Sequence, residues 1–113
     1  MSTSTPFLIK GGTTRINLTT TANTVPILAD GPCSQVRLHN GTAAEVFVRL
    51  STSAGNDAVI PVAGTPSYGM VMHNNTTWIV TVPGEVDTTP QVWISGIVAA
   101  GTGILYVTPG EGL

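Results

Sequence analysis

Two histidines, one cysteine and six carboxylates are the side chains of this 113-residue sequence that could do chemistry. His39 follows Arg37 by two positions in an alternating segment, and His73 precedes two asparagines. No acidic residue stands at the spacing of a hydrolase motif, and the nucleophile pattern Gly-x-Ser-x-Gly is absent. A lone cysteine is more often a small buried hydrophobe than a nucleophile, so Cys33 is predicted to be structural. We therefore predict that the protein is not an enzyme.

The same residues predict neither a metal ion nor a cofactor. Glu85 and Asp87 lie two apart in a turn segment, and Asp57 stands alone after an asparagine. Calcium takes about six to eight oxygen ligands, and neither group resembles a complete loop. The single Cys33 excludes an internal disulfide and a cysteine-based zinc site. The glycine-rich stretch 101–103 lacks the lysine and the following helix of a phosphate-binding loop.

Charge is scarce along the whole chain. Four basic and six acidic residues make up 9% of the sequence, where about 25% is usual. Four basic residues cannot supply the roughly 6–10 phosphate contacts of a typical DNA-binding surface, so no nucleic-acid partner is predicted. An apolar fraction of 42% is too high for disorder. The longest apolar stretch, 95–107, is broken by three glycines and is shorter than the roughly 20 residues of a membrane span. We predict no membrane partner, and no secretory signal is visible.

Short β-strands must position whatever functional residues the chain has. Apolar and polar residues alternate with the period of two that is typical of strands, and helical spacing is nearly absent. The clear alternations are 15–19, 35–39, 45–50, 77–82, 91–95 and 104–108, and shorter candidates are 7–10, 25–28, 58–62 and 70–73. Turns rich in glycine, proline and asparagine separate them at spacings of roughly 8–12 residues. This pattern predicts an all-β fold, an antiparallel β-sandwich or barrel of eight to ten strands, in a single domain over 7–113.

Two consecutive alternating segments joined by a loop at 41–43 predict a hairpin. In the favoured register, Leu38 lies opposite Val46 on one face and His39 lies opposite Glu45 on the other. A slip by one residue would set apolar residues opposite polar ones at every pair.

Two groups of residues are predicted to contact partners. The polar start 1–6 is predicted either to fray or to form an extended arm that orders against a neighbouring subunit. Phe47 and Trp93 alternate onto the polar faces of their strands, whereas Trp78 shares the apolar face of its own strand and is predicted to be core. Outer-face aromatics serve as interface anchors or as sugar-stacking platforms, unless a loop or a second layer covers them. The predicted interface residues are Met1, Ser2, Thr3, Ser4, Thr5, Pro6, Phe47 and Trp93.

Three segments carry a resemblance to a known type of protein. They are Val-Arg-Leu-His-Asn-Gly-Thr at 36–42, Val-Phe-Val-Arg-Leu at 46–50 and the ending 101–112 with its Gly-Glu-Gly. With the Ser/Thr-rich start, the chain resembles small structural proteins of tailed bacteriophages, of the head decoration or cement type. The resemblance implies a jelly-roll sandwich of about eight strands and transfers no catalytic residue.

The leading hypothesis is a capsid decoration or cement protein of the virion, assembled in the host cytoplasm. It would form a homo-oligomer, a trimer or a dimer, and bridge subunits of the major capsid protein or other virion proteins. Because it would bind only the assembled lattice, it would stabilise the head by mass action. One alternative is a structural protein of the tail, collar or baseplate. Another is a carbohydrate-binding β-sandwich module with Trp93 and Tyr68 as stacking groups.

Overall fold

Nine strands form between residues 7 and 112, the part of the chain that this computed structural model describes. No helix is found in that range. The strands are β1 Leu8–Ile9, β2 Thr14–Leu18, β3 Asn23–Ile27, β4 Cys33–Asn40, β5 Val46–Ser51, β6 Met70–Met72, β7 Thr77–Val86, β8 Val92–Ile97 and β9 Gly103–Glu111. Nine of the ten segments predicted from alternation coincide with these strands. The segment 58–62 does not, and its only ladder contact is an isolated bridge from Val62 to Thr65.

The strands form two antiparallel sheets that pack face to face. In sheet A, β9 lies between β4 and the edge formed by β1 and β2, and β4 also pairs with β7. Sheet B has the order β3-β8-β5-β6. The pairs β2/β9, β3/β8, β4/β7 and β5/β6 follow one another, as if one long antiparallel ribbon had been rolled up. This order is that of a jelly roll, and it confirms the predicted antiparallel sandwich.

The predicted hairpin between β4 and β5 is wrong. The two strands lie in different sheets, because β4 pairs with β7 and β9 while β5 pairs with β6 and β8. Leu38 and Val46 are both fully buried, but they enter the core from opposite sheets. Alternation shows on which face of a sheet a residue lies, but it does not show which strand pairs with the residue's own strand.

The core lies between the inner faces of the two sheets. Its members are mostly β-branched or leucine residues, as expected for packed strands. The buried cluster comprises Ile16, Leu18, Ile27, Ala29, Cys33, Val36, Leu38, Val46, Val48, Met72, Val82, Val86, Val92, Ile94, Val98, Leu105 and Val107. Trp78 is half-buried and packs against this cluster, on the face predicted for it.

Asn40, the last residue of β4, stabilises the point at which the chain passes from sheet A to sheet B. Its side chain is fully buried, and Nδ2 donates to the carbonyl oxygens of Ala44, Met72 and His73 at 2.8, 3.1 and 2.9 Å. Its Oδ1 accepts the backbone N–H of Thr42 at 2.9 Å. One amide therefore ties the end of β4 in sheet A to the β4–β5 loop and to β6 in sheet B.

Candidate interaction surface

Phe47 and Trp93 both lie on the outer face of sheet B, as their alternation predicts, but they are not adjacent. Phe47 stands opposite Ile97 of β8 and Val71 of β6, which makes an apolar row across three strands. Trp93 stands opposite Ser51, four residues along β5 from Phe47. At about 3.3 Å per residue this separation is roughly 13 Å. Both aromatic side chains are half-buried.

The connection between β5 and β6, residues 52–69, crosses this outer face, and we call it the strap. The backbone N–H of Ala58 donates to Oγ of Ser95 at 2.8 Å, and the hydroxyl of Thr24 donates to a carboxylate oxygen of Asp57. Ser95 and Ala58 are only 1% and 3% exposed. The strap therefore covers the middle of the outer face. Cover by a loop is one of the alternatives given above for the outer-face aromatic residues.

Beyond Ala58 the strap folds back as an irregular hairpin. The N–H of Val59 donates to the carbonyl oxygen of Tyr68 at 2.9 Å, and the N–H of Thr65 donates to the carbonyl oxygen of Val62 at 3.1 Å. Gly64, with φ of 78°, takes the third position of this turn, where a type II turn requires a positive φ. The two arms of the hairpin thus present Val59, Val62 and Tyr68 together.

A cation–π contact fastens the returning arm to sheet B. The guanidinium carbon of Arg49 lies 4.1 Å from the centroid of the Tyr68 ring. Such a contact contributes about 0.5–1 kcal/mol at an exposed site. Tyr68 itself is 69% exposed, with one ring face occupied by Arg49. An open groove of about 370 Å³ lies beside this contact, between β5 and the residues that lead into β6.

Exposed apolar residues concentrate on this hairpin and on β6. Of the eight large hydrophobic residues that are exposed in the described range, five fall within thirteen positions of one another. These five are Val59, Val62, Tyr68, Met70 and Val71, and we call them the 59–71 surface. The sequence analysis names Tyr68 only as a sugar-stacking group of the carbohydrate-binding alternative, and it selects none of the other four. The signal that could have found them is the run 58–72, fifteen residues without one charged side chain.

The outer face of sheet A carries a second surface. An open groove of about 490 Å³ is lined by Phe7, Ile9, Thr13, Arg37, Ile79 and Thr108. Phe7 is 8% exposed and packs against Gly110, where a side chain would collide with the Phe7 ring. The predicted arm, Met1 to Pro6, precedes Phe7 and lies outside the described residues.

The ionisable groups are spread over the surface. His73 Nδ1 lies 2.9 Å from Oε2 of Glu45, so Glu45 meets His73 and not His39 as the predicted hairpin required. His39 Nδ1 instead hydrogen-bonds Oγ1 of Thr77 at 2.8 Å, across the β4–β7 pair. In residues 7–112, no three His, Cys, Asp or Glu side chains come together as metal ligands.

Cys33 is buried at the start of β4, with 2% of its surface exposed. Burial raises the pKa of its thiol, and the negative charge of Glu111 raises that pKa further. Both effects disfavour the thiolate, which is the reactive form.

We expect the Cys33 thiol to react with a disulfide reagent such as DTNB roughly a hundredfold more slowly in the native protein than in the unfolded chain. The reaction must wait for an opening of the sandwich near β4. The measurement compares the rate of thiol release at pH 8 with and without denaturing urea. Equal rates in the two conditions would contradict the buried position of Cys33.

Fold and surfaces together define the class of this protein as an all-β jelly-roll sandwich. A scan against protein families, a search of curated proteins and a search of solved structures each found no match to this chain. Within the described residues there is no helix of the length and apolar character that crossing a membrane requires.

Proposed function

We propose that this protein is a structural protein of a virion, a decoration or cement protein that binds the outside of an assembled capsid. In this proposal it oligomerises and bridges subunits of the major capsid protein. The observation that carries the proposal is the 59–71 surface, an exposed apolar surface on a protein with very little charge. Patches of this kind on small proteins commonly mark interaction sites.

Scarcity of charge supports an assembly role. Charged residues are depleted in the cores of protein interfaces, where aromatic residues and methionine are enriched. The 59–71 surface has that composition, with Tyr68 and Met70 beside three valines. A freely soluble small domain ordinarily carries more charge, because charge resists association. A surface that neighbours cover does not need this protection.

Rigid loops and outer faces would make the contacts in this proposal. Phe47 and Trp93 project from paired strands of sheet B, so little conformational entropy is lost when a partner packs on them. The segment 1–6 would add an extended contact to a neighbouring subunit. Because the protein would bind the assembled shell and not free subunits, its binding energy would add to the stability of the shell.

The test of the proposal is the copy number in particles. We expect quantitative mass spectrometry of virus particles, purified from cells in which this sequence is expressed, to find the protein in numbers comparable with the major capsid protein. A few copies per particle, in a small multiple of three or six, would place it in the tail, collar or baseplate instead. Complete absence from particles would overturn a structural role in the virion.

A binding experiment tests the outer aromatics directly. We expect Trp93→Ala and Phe47→Ala each to weaken binding to particles that lack the protein by about tenfold, which corresponds to loss of an interface anchor. Leu8→Ala is the matched control, because Leu8 is 60% exposed but lies in β1 of sheet A, in the other sheet from both aromatics. If all three variants bind like the unchanged protein, the contact lies elsewhere.

A further inference from the structure

We infer that the free edge of β6 and the adjoining 59–71 surface form a self-association site, at which two copies of the chain meet about a twofold axis. The inference rests on the proposed function, since it names the surface through which the copies join. In the described residues β6 is the last strand of sheet B and pairs with β5 alone. Its outer edge is therefore open to another strand.

Apart from the two-residue β1, Leu8–Ile9, the other edge strands of the described sandwich carry the devices by which proteins prevent strand addition. Proline, charge and bulges are such devices. The edge strand β3 contains Pro26, and β2 contains Arg15. The edge strand β7 contains Pro83 and Glu85, and its register with β4 is irregular at that end. By contrast, β6 has the sequence Met-Val-Met, with neither proline nor charge.

The exposed area fits a two-copy contact. Val62 and Tyr68 are 63% and 69% exposed, and the other three members of the 59–71 surface are 37–47% exposed. Together they expose on the order of 450 Å² of mostly apolar area. This area lies on both sides of the sheet edge, because Val71 shares the outer face with Phe47 while Met70 shares the inner face with Val48. One partner in a standard interface buries about 800 Å², of which somewhat more than half is apolar. The surface thus supplies about the apolar area that one copy must contribute.

The electrostatics favour a second copy over a charged partner. Between Asp57 and His73 the sequence has no charged side chain, and the guanidinium of Arg49 stacks on the Tyr68 ring at the margin of the surface. A mostly uncharged surface offers a charged partner few groups to pair with, and it suits an equally uncharged copy of itself. A twofold contact places each residue against the same surface of the other copy, and it makes the two β6 strands antiparallel. Val71, the central residue of β6, then lies opposite or next to its own counterpart.

Solution mass tests the inference. We expect sedimentation velocity to show a concentration-dependent dimer, or a larger assembly built from it. Val71→Lys introduces the charge that protects natural edge strands, and Val62→Lys places a charge at the tip of the strap hairpin. Each should raise the dissociation constant at least tenfold. Leu28→Lys is the matched control, since it adds the same charge at an exposed leucine and should leave association unchanged.

A cross-link tests the geometry. In an antiparallel pair, opposite Cα atoms lie about 4.5–5.5 Å apart, within the range that a disulfide spans. We expect Val71→Cys to form a covalent dimer under mild oxidation with copper phenanthroline, while Leu28→Cys and the unchanged protein, with Cys33 buried, do not. Slow reaction of Cys33 with DTNB in the lysine variants shows that they remain folded.

The outcomes separate this inference from the proposed function. A protein that stays monomeric at high concentration, or an oligomer unaffected by both lysine variants, overturns the β6 site while the particle copy number still decides the virion role. Conversely, a β6-dependent dimer that is absent from particles supports the site and overturns the virion role.

Discussion

Asn40→Ala is expected to lower the free energy of unfolding by roughly 3 kcal/mol or more, the largest effect of any single polar substitution in the sandwich. The amide is fully buried and serves three carbonyl oxygens and one N–H. Alanine leaves the carbonyl of Met72 and the N–H of Thr42 without these bonds, and each unpaired buried group costs about 1–3 kcal/mol. Urea unfolding, followed by the fluorescence of Trp78 and Trp93, measures the change.

The comparison variants show whether the hydrogen bonds of Asn40 are the cause. Asn40→Asp keeps an acceptor for Thr42 but replaces the Nδ2 donor with oxygen, so it should be at least as destabilising as alanine. Asn74→Ala, at an exposed turn, should change stability by less than about 0.5 kcal/mol. A loss below about 1 kcal/mol for Asn40→Ala would mean that water replaces the amide and that the hydrogen bonds of Asn40 are dispensable.

Large effects are also expected from two changes at a contact between β2 and β8, Leu18→Ala and Gly96→Ala. Leu18 of β2 is fully buried against Gly96 of β8, and a Cβ at Gly96 would lie 2.6 Å from Leu18 Cδ2. Leu18→Ala should cost about 2–5 kcal/mol through the cavity that it leaves. Gly96→Ala should cost about 1–3 kcal/mol, because the added methyl group would overlap the Leu18 side chain, which must then shift within the packed core.

Combining the two changes gives the sharper test. The methyl group at position 96 enters the space vacated by Leu18, so the double variant should be less destabilised than the sum of the single changes by about 1 kcal/mol or more. Gly12→Ala is the control, because its Cβ would meet no atom within 4 Å, and it should not destabilise the protein. Strict additivity of Leu18→Ala and Gly96→Ala would contradict the packing of these two strands.

Alternation was sufficient to predict the strands, and insufficient to predict their partners. The burial of Leu38 and of the core valines of β4 and β5 follows directly from the alternation in their sequences, because a sheet has a period of two, whereas the burial of the polar Asn40 does not. The same pattern fits a hairpin and a crossing between sheets equally well. The crossing seen here is bridged by the amide of Asn40, whose partners Met72 and His73 lie more than thirty residues away in sequence.

The candidate surface was predictable in part. The outward position of Phe47 and Trp93 follows from their polar neighbours on the same strands. The segment 58–62 of the strap was wrongly predicted to be a strand, because it contains Val59 and Val62 and valine is enriched in strands. Their backbone instead makes local bonds to Tyr68 and Thr65, which leaves both valines exposed. No periodicity in the sequence distinguishes these two arrangements.

The rolled ribbon sets an order of events for a chain that emerges from the ribosome. Thr14 pairs with Val107, so the edge of sheet A that β2 forms waits for more than ninety further residues to be synthesised. Until β9 arrives, β2 and β4 lack the strand that lies between them, and their backbone edges stay available to other nascent chains. Pairings this distant in sequence also place the protein among slow folders, in the range of about milliseconds to seconds. The strand β9 is therefore the one that closes the sandwich.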